Sequence, residues 1–399
     1  MRRNILVVLG TRPEAIKLCP VVLHLARFPE RYRVRVCVTA QHRGMLDQVL
    51  EAFRVVPHYD LNLMLPGQTL AQTTSRAVAA LDPVLAAERP DMVVVQGDTT
   101  TTLAGALAAF YHHIPVAHVE AGLRTGDMLQ PFPEEMNRVL TTRLASLHLA
   151  ATEAAAANLC REGVRATDIE VTGNTVVDAV LHVREGLERG RLQAPAWEWL
   201  DVAKRLILLT THRRESFGEG LEQICEAILT LAARGDVQIV CPVHPNPQVR
   251  DTVERRLGGH ANIALIGPQD YVPFVDLMRR ASLLVTDSGG IQEEGPSLGK
   301  PILVLRERTE RPEAVAAGNA KLVGTDPRRI VPAASELLDN PAAYDRMACV
   351  HNPFGDGRAS QRIESAIHSF FERKSLAEIP QNGPDWVRFA AEPATAGLH

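Results

Sequence analysis

No apolar run in this 399-residue sequence approaches the ~20 residues a helix needs to cross a bilayer. The opening MRRNILVVLG is basic at its start, but its apolar stretch ends at Gly10. It therefore lacks the length and the small-residue cleavage site of a secretory signal. Charge of one sign is not in excess either. Lys and Arg number 43 against 47 Asp and Glu, a net charge of −4, which gives no general reason to expect a nucleic-acid partner. The six cysteines (Cys19, Cys37, Cys160, Cys225, Cys241 and Cys349) are scattered and form no CxxC pair. That pattern reads as core residues, not as a disulfide framework or a zinc site. Internal repeats and low-complexity segments are also missing. What remains is 46% hydrophobic and 23% charged, ample for a core, in a chain long enough for two domains at about 150 residues each. These features predict a soluble, cytoplasmic protein with no membrane partner.

Short apolar runs alternate with stretches of helical period along the whole chain. Strands are expected at Asn4–Leu9, Val34–Thr39, Met92–Val95, Ile114–Val119 and Leu147–Ala150, with helices such as Ala15–Leu25, Leu70–Ala87 and Thr101–Tyr111 between them. The rhythm restarts at Arg205–Leu209 and continues through Gln238–Cys241, Ala264–Ile266, Leu283–Thr286 and Ile302–Leu305. Such alternation predicts an α/β fold with parallel sheets covered by helices on both faces. The break falls around Thr172–Leu200, where Asn174–Gly186 has a helical pattern and a loose stretch with Trp197 and Trp199 follows. Two Rossmann-like halves joined by a linker are therefore expected, with 375–399 as an unstructured tail. Ligands of open α/β sheets bind beyond the carboxyl ends of the strands, so the cleft between the halves is the expected site.

The residues that follow the strands are unusually polar. Gly10-Thr11-Arg12-Pro13 follows the first strand, where Gly10 allows a tight turn, Thr11 caps a helix and Pro13 suits its first turn. Arg12 and Lys17 add cations beside a helix N-terminus, a place that attracts anions. Asp98, after Met92–Val95, reads either as the cap of the next helix or as a functional carboxylate. Glu120 follows the strand containing His118, and Glu134 opens a helix after Pro131 and Pro133. Each has an innocent reading, yet three carboxylates on one strand-end face are suited to acid–base work. In the second half, Thr211-His212-Arg213-Arg214 gathers cations that suit a diphosphate. His244, in the loop CPVHPNP, reads as a packing residue or as a ligand contact. The segment Val285-Thr286-Asp287-Ser288-Gly289-Gly290-Ile291-Gln292-Glu293-Glu294 is a strand, a glycine turn and a helix start. Glycines let a backbone approach phosphate oxygens, and the helix start offers free N–H groups. Glu294 stands where an acidic residue reaches ribose hydroxyls. The segment is neither Walker A nor GxGxxG.

Taken in order, these blocks resemble the non-hydrolysing UDP-N-acetylglucosamine 2-epimerases. They are GTRPEAIK at Gly10–Lys17, QGDT at Gln96–Thr99, HVEAGLRTGD at His118–Asp127, PFPEEMNR at Pro131–Arg138, TGNTVVDA at Thr172–Ala179, THRRES at Thr211–Ser216, PVHPNP at Pro242–Pro247, DSGGIQEE at Asp287–Glu294, TERPEAV at Thr309–Val315 and NPFGDGRAS at Asn352–Ser360. The likeness runs from about Ile5 to Phe371. It implies a GT-B fold, two Rossmann-like domains facing across a cleft. The first would span 1–172 and be completed by a C-terminal helix at about 359–373, and the second would span 173–358. The resemblance also implies reversible conversion of UDP-GlcNAc to UDP-ManNAc, without cofactor or metal, by anti elimination of UDP to 2-acetamidoglucal and re-addition. A homodimer is implied as well.

By resemblance Asp98, Glu120 and Glu134 are the acid–base carboxylates, and His212 is a catalytic position near the phosphates. Arg12, Lys17, Arg138, Arg213, His244, Ser288, Gly289, Gly290, Glu294 and Arg311 carry over as UDP-sugar contacts. Gln41, His42 and Met45 resemble part of a second, activating UDP-GlcNAc site of some members, but Pro66-Gly67-Gln68 stands where certain relatives carry an arginine. Rival readings are a GT-B glycosyltransferase, a hydrolysing epimerase, an epimerase of a related sugar and a non-catalytic UDP-sugar sensor. The three carboxylates weigh against the first and the last.

Overall fold

The computed structural model describes residues 2–39, 43–65, 67–349 and 351–376. Among the described residues thirteen strands form two sheets, and every pairing is parallel. The first sheet contains β1 (Arg3–Leu9), β2 (Tyr32–Val38), β3 (Tyr59–Asp60), β4 (Met92–Gln96), β5 (Val116–Ala121), β6 (Leu147–Ala150) and β7 (Ile169–Val171), in the order β3-β2-β1-β4-β5-β6-β7. The second contains β8 (Arg205–Thr210), β9 (Val237–Pro242), β10 (Ile263–Ile266), β11 (Leu283–Thr286), β12 (Ile302–Val304) and β13 (Ala320–Leu322), in the order β10-β9-β8-β11-β12-β13. Both orders reverse direction beside their first strand. The switch points between β1 and β4 and between β8 and β11 therefore open clefts at the strands' carboxyl ends.

The apolar runs expected as strands are strands, within a residue or two at their ends. Those in the middle of the sheets, covered on both faces by helices, are buried along their length, as at MVVVQ of β4 and VAHVEA of β5. The sequence reading missed β3, β7 and β13. All three are short sheet edges with exposed or half-exposed positions, so they lack the apolar signature of an interior strand. Four cysteines are buried as expected, but Cys160 and Cys349 are exposed, which corrects their reading as core residues.

The helix Thr175–Glu188, with Asn174 as its cap, packs on the helices Arg12–Leu25, Tyr271–Arg280 and Gly289–Glu294, and so contacts elements of both halves. The stretch after it is irregular but not loose. Trp197 donates from Nε1 to Asp276 at 2.8 Å, and Gln238 donates to the Trp199 carbonyl at 2.7 Å. The C-terminal helix, Ala359–Leu376, returns to the first half and packs on the helix Arg12–Leu25. Asp178 accepts from the backbone N–H groups of Ala359 and Ser360 at 3.1 and 2.8 Å, capping the helix from the linker. Glu364 accepts from the Tyr32 hydroxyl at 2.9 Å, and Ile363, Ile367, Phe370 and Phe371 are buried in the core shared with β1. This helix takes in Ser375 and Leu376, the first residues assigned to the tail; 377–399 lie outside the described residues. No described helix is long and apolar enough to cross a membrane.

Candidate active site

At the end of β1 the chain turns at Gly10, and here only glycine fits. A Cβ would lie 2.2 Å from Thr39 Oγ1 and 2.3 Å from Thr101 Oγ1. Thr11 then caps the helix Arg12–Leu25 in a reciprocal capping box, with Glu14 accepting from the N–H groups of Gly10 and Thr11 at 3.0 and 2.7 Å. Thr99 also donates to Glu14, at 2.7 Å. Burial nevertheless raises the Glu14 pKa above the carboxylate norm, against these hydrogen bonds.

Glu120 interrupts β5. The pairing with β6 shifts register between Val119 and Ala121, and Glu120 adopts φ +63°, a left-handed conformation uncommon outside glycine. The bulge aims its carboxylate at Lys17, whose Nζ lies 2.7 Å from both oxygens. Gln96, the last residue of β4, donates to the same carboxylate, as does Asn174 at 3.4 Å. Lys17 also lies 3.7 Å from Glu293 in the second half, and Glu293 in turn accepts from Arg311 and from Asn174. One buried chain of alternating charge, Glu120–Lys17–Glu293–Arg311, thus joins the two halves. Burial works against the Lys17 ammonium, but Glu120 and Glu293 outweigh it and raise its pKa. Burial would raise Glu293 too; Lys17 and Arg311 hold it below the usual carboxylate range.

Asp98 is not the helix cap. That place belongs to Thr99, whose hydroxyl accepts from the Thr102 N–H at 3.1 Å. The Asp98 carboxylate is free to pair with Arg138, Nε at 2.9 Å and Nη2 at 2.7 Å. Arg138, expected as a substrate contact, is thus taken up by Asp98 and by Glu135 at 2.9 Å. Glu134 opens the helix Glu134–Leu144 and shares with Asp98 a cavity of about 460 Å³, also lined by Thr11, Thr99, Asn137 and Gln68. Glu120 is not among the cavity's lining residues. It lies beside the turn before Asp98, with Oε2 3.9 Å from where a Gly97 Cβ would sit. Gln41, His42 and Pro66 lie outside the described residues, and Met45 is exposed on the helix Arg43–Ala52.

Across the cleft, Asp287 organises the end of β8. Its Oδ2 accepts from the backbone N–H groups of His212 and Arg213 at 2.7 and 2.8 Å, and Oδ1 faces His212 Nδ1 at 2.9 Å. Burial raises the Asp287 pKa, but His212 and these N–H groups prevail and lower it. His244 stacks on His212 with ring centroids 5.6 Å apart, and burial followed by that neighbour lowers its pKa. Two guanidinium groups approach Gly289: the position of a Cβ there is 3.8 Å from Arg213 Nη2 and 3.9 Å from the Arg311 Cζ. Ser288 is the N-cap residue of this short helix, and its hydroxyl makes no capping bond. Glu294, one residue past Glu293, points elsewhere and accepts from the buried Tyr271 hydroxyl at 3.1 Å. Burial pushes its pKa up to about 8, with Glu293 adding to the rise. The sequence reading passed over Asp287, Glu293, Gln96, Asn174 and Tyr271 as site residues. The first four are polar residues inside blocks otherwise read for their neighbours, whereas Tyr271 carried no signal.

Twin doubly wound sheets whose switch points share one charged cluster define a GT-B protein, and solved structures agree. The sequence profile of the UDP-N-acetylglucosamine 2-epimerase family matches residues 26–368. The chain is 55% identical over 369 residues to the Escherichia coli UDP-N-acetylglucosamine 2-epimerase, covering 91% of this chain and 98% of that one. It also matches the Neisseria meningitidis UDP-GlcNAc 2-epimerase, solved bound to UDP-GlcNAc, with TM-score 0.84 and 46% identity over 92% of this chain and 100% of that one. The Methanocaldococcus jannaschii UDP-GlcNAc 2-epimerase, solved with UDP-GlcNAc and UDP, matches with TM-score 0.74 and 36% identity over 92% of this chain and 99% of that one. The chain belongs to the UDP-N-acetylglucosamine 2-epimerase family and is an enzyme, an isomerase.

Proposed function

We propose that the chain interconverts UDP-N-acetylglucosamine and UDP-N-acetylmannosamine by anti elimination and re-addition of UDP. A carboxylate takes the C2 proton, the C–H electrons form the C1–C2 double bond of 2-acetamidoglucal, and the C1–O bond breaks to release UDP. UDP then adds back to C1 as an acid delivers a proton to the other face of C2. Asp98, Glu120 and Glu134 are the acid–base set. Ser288, Gly289, Gly290, Arg213, Arg311, His212 and His244 receive the diphosphate, Glu294 the ribose, and Arg12 and Lys17 reach the diphosphate from the opposite side. Arg138 serves the site by holding Asp98. The observation that carries this reading is the position of Lys17, 2.7 Å from Glu120 and 3.7 Å from Glu293. A single ammonium there touches the acid–base half and the nucleotide half at once.

We further propose that the halves divide near residue 172, that the C-terminal helix belongs to the first, and that the enzyme is a cytoplasmic homodimer. The deciding experiment is NMR of UDP-GlcNAc incubated with the enzyme in deuterium oxide. UDP-ManNAc with deuterium at C2 of both epimers is expected. Free ManNAc with UDP, or complete retention of the original hydrogen, overturns the mechanism.

A further inference from the structure

His118 stands two residues before Glu120, on β5, and is buried. Its Nε2 lies 2.7 Å from the carbonyl oxygen of Gly97, the residue before Asp98. A carbonyl only accepts, so this nitrogen carries the proton. The other nitrogen, Nδ1, is buried without a hydrogen-bond partner among the described residues, which suits a neutral ring and would leave an imidazolium with an orphaned donor. Burial, followed by the neighbouring His148, Arg124 and Arg138, keeps the ring neutral, with its pKa lowered to about 3.

The stretch around this contact is held from other sides as well: Thr102 Oγ1 donates to the Gln96 carbonyl at 2.6 Å and Asn137 Nδ2 to the Asp98 carbonyl at 2.8 Å, but neither bond reaches β5. Gly97 adopts φ +75°, and its N–H donates to the Val119 carbonyl at 3.0 Å. Val119 immediately precedes the bulge at Glu120. The two peptide groups that flank the Gly97 Cα are therefore each tied to β5, one by the Val119 carbonyl and the other by the His118 ring. One carboxylate leaves the adjacent end of each strand, Asp98 from β4 and Glu120 from β5.

We propose that His118 is a positioning residue that fixes the separation of Asp98 and Glu120 by stitching the ends of β4 and β5 through its Nε2–H. The proposal rests on the acid–base reading of those two carboxylates. The His118 ring is buried and bonded to backbone, so nucleotide binding across the cleft is expected to be independent of it.

Two substitutions test it, because amide nitrogens fall at different ring positions. Gln Nε2 overlies the histidine Nε2 and reaches the Gly97 carbonyl, whereas Asn Nδ2 overlies Nδ1 and falls short. Both remove the ring, so a role in packing alone moves them together. His118→Asn is expected to lower kcat on the order of 10- to 100-fold through carboxylate misplacement, with KM and calorimetric UDP affinity within about twofold of wild type. His118→Gln is expected to keep at least about a third of wild-type kcat. Equal loss in both variants, or no loss in His118→Asn, overturns the proposal. If His118→Asn fails to fold, His118→Gln below about a third of wild type does so alone. A fully active Asp98→Asn enzyme would instead remove the acid–base reading itself, whatever the His118 variants show.

Discussion

Glu120 and Asp98 each hold a cation of their own, Lys17 and Arg138, so charge removal at either one is read separately. Glu120→Gln and Asp98→Asn should each lower kcat by roughly 10²–10⁴, the usual worth of general acid–base help, while calorimetric UDP affinity stays near wild type. A variant that keeps more than about half of wild-type kcat loses its assigned role. Glu294 offers a different measurement. With its pKa pushed up to about 8, much of it is protonated near neutrality, and a neutral acid is a poorer acceptor for two ribose hydroxyls. UDP binding should therefore release a proton and tighten as pH rises toward about 8. The same raised value gives the unliganded fold stability that is fully present below the ordinary carboxylate value of 4.5 and lost as pH rises through about 8. Glu294→Gln should flatten both slopes, and Glu294→Ala should weaken UDP by about 1–3 kcal/mol, as for a lost buried hydrogen-bond partner. Wild-type and Glu294→Gln calorimetry with identical pH dependence would place the ribose elsewhere.

At the scale of elements, the interior strands were legible because two covered faces demand continuous apolar runs, as in NILVVL of β1. The edges β3, β7 and β13 face solvent and carry no such run. Strand order left no local trace either, since it depends on which strand a helix returns beside. The site was legible in the same uneven way. Gly10, Glu120 and the Ser288–Gly290 turn announced themselves as polar or flexible residues at the ends of apolar strands. Several of the residues around them did not, among them Gln96, Asn174, Asp287 and Glu293. Glu293 and Glu294 are adjacent, yet successive helical residues diverge by about 100°, so one faces Lys17 and Arg311 and the other Tyr271. Only packing assigns them. The turn after β1 carries a sharp expectation of its own. Gly10→Ala forces a Cβ into Thr39 and Thr101, and should cost about 1–3 kcal/mol by denaturant titration, the range for an overpacked interior. An unchanged midpoint would show that the two threonines swing aside freely.

Across the whole molecule, the proposed elimination and re-addition would require that a neutral glycal remain beside UDP until the proton returns, which calls for a cleft closed to water. Among the described residues, the connections that span the halves include the Glu120–Lys17–Glu293–Arg311 chain, the linker helix after Asn174, and the C-terminal helix capped by Asp178. Arg12 belongs to the first half, at the start of the helix after β1, yet its charge acts on Glu294 in the second. A diphosphate bound between them would draw both halves together, because a ligand that meets residues from each favours the closed arrangement. Removing Arg12 should weaken that bridge without dismantling the turn at Ser288–Gly290 or the carboxylates. Arg12→Ala is therefore expected to retain UDP binding, weakened by about 1–3 kcal/mol as for a lost charged hydrogen bond, and still to abstract the C2 proton. Its failure should be one of retention, with 2-acetamidoglucal and UDP appearing in solution during a time course followed by NMR. Gly290→Val is the contrasting case: a branched side chain at the phosphate turn should block UDP itself, so no free glycal accumulates. Should Arg12→Ala lose UDP binding outright, or turn over normally without releasing glycal, Arg12 is not the residue that keeps the intermediate in the cleft.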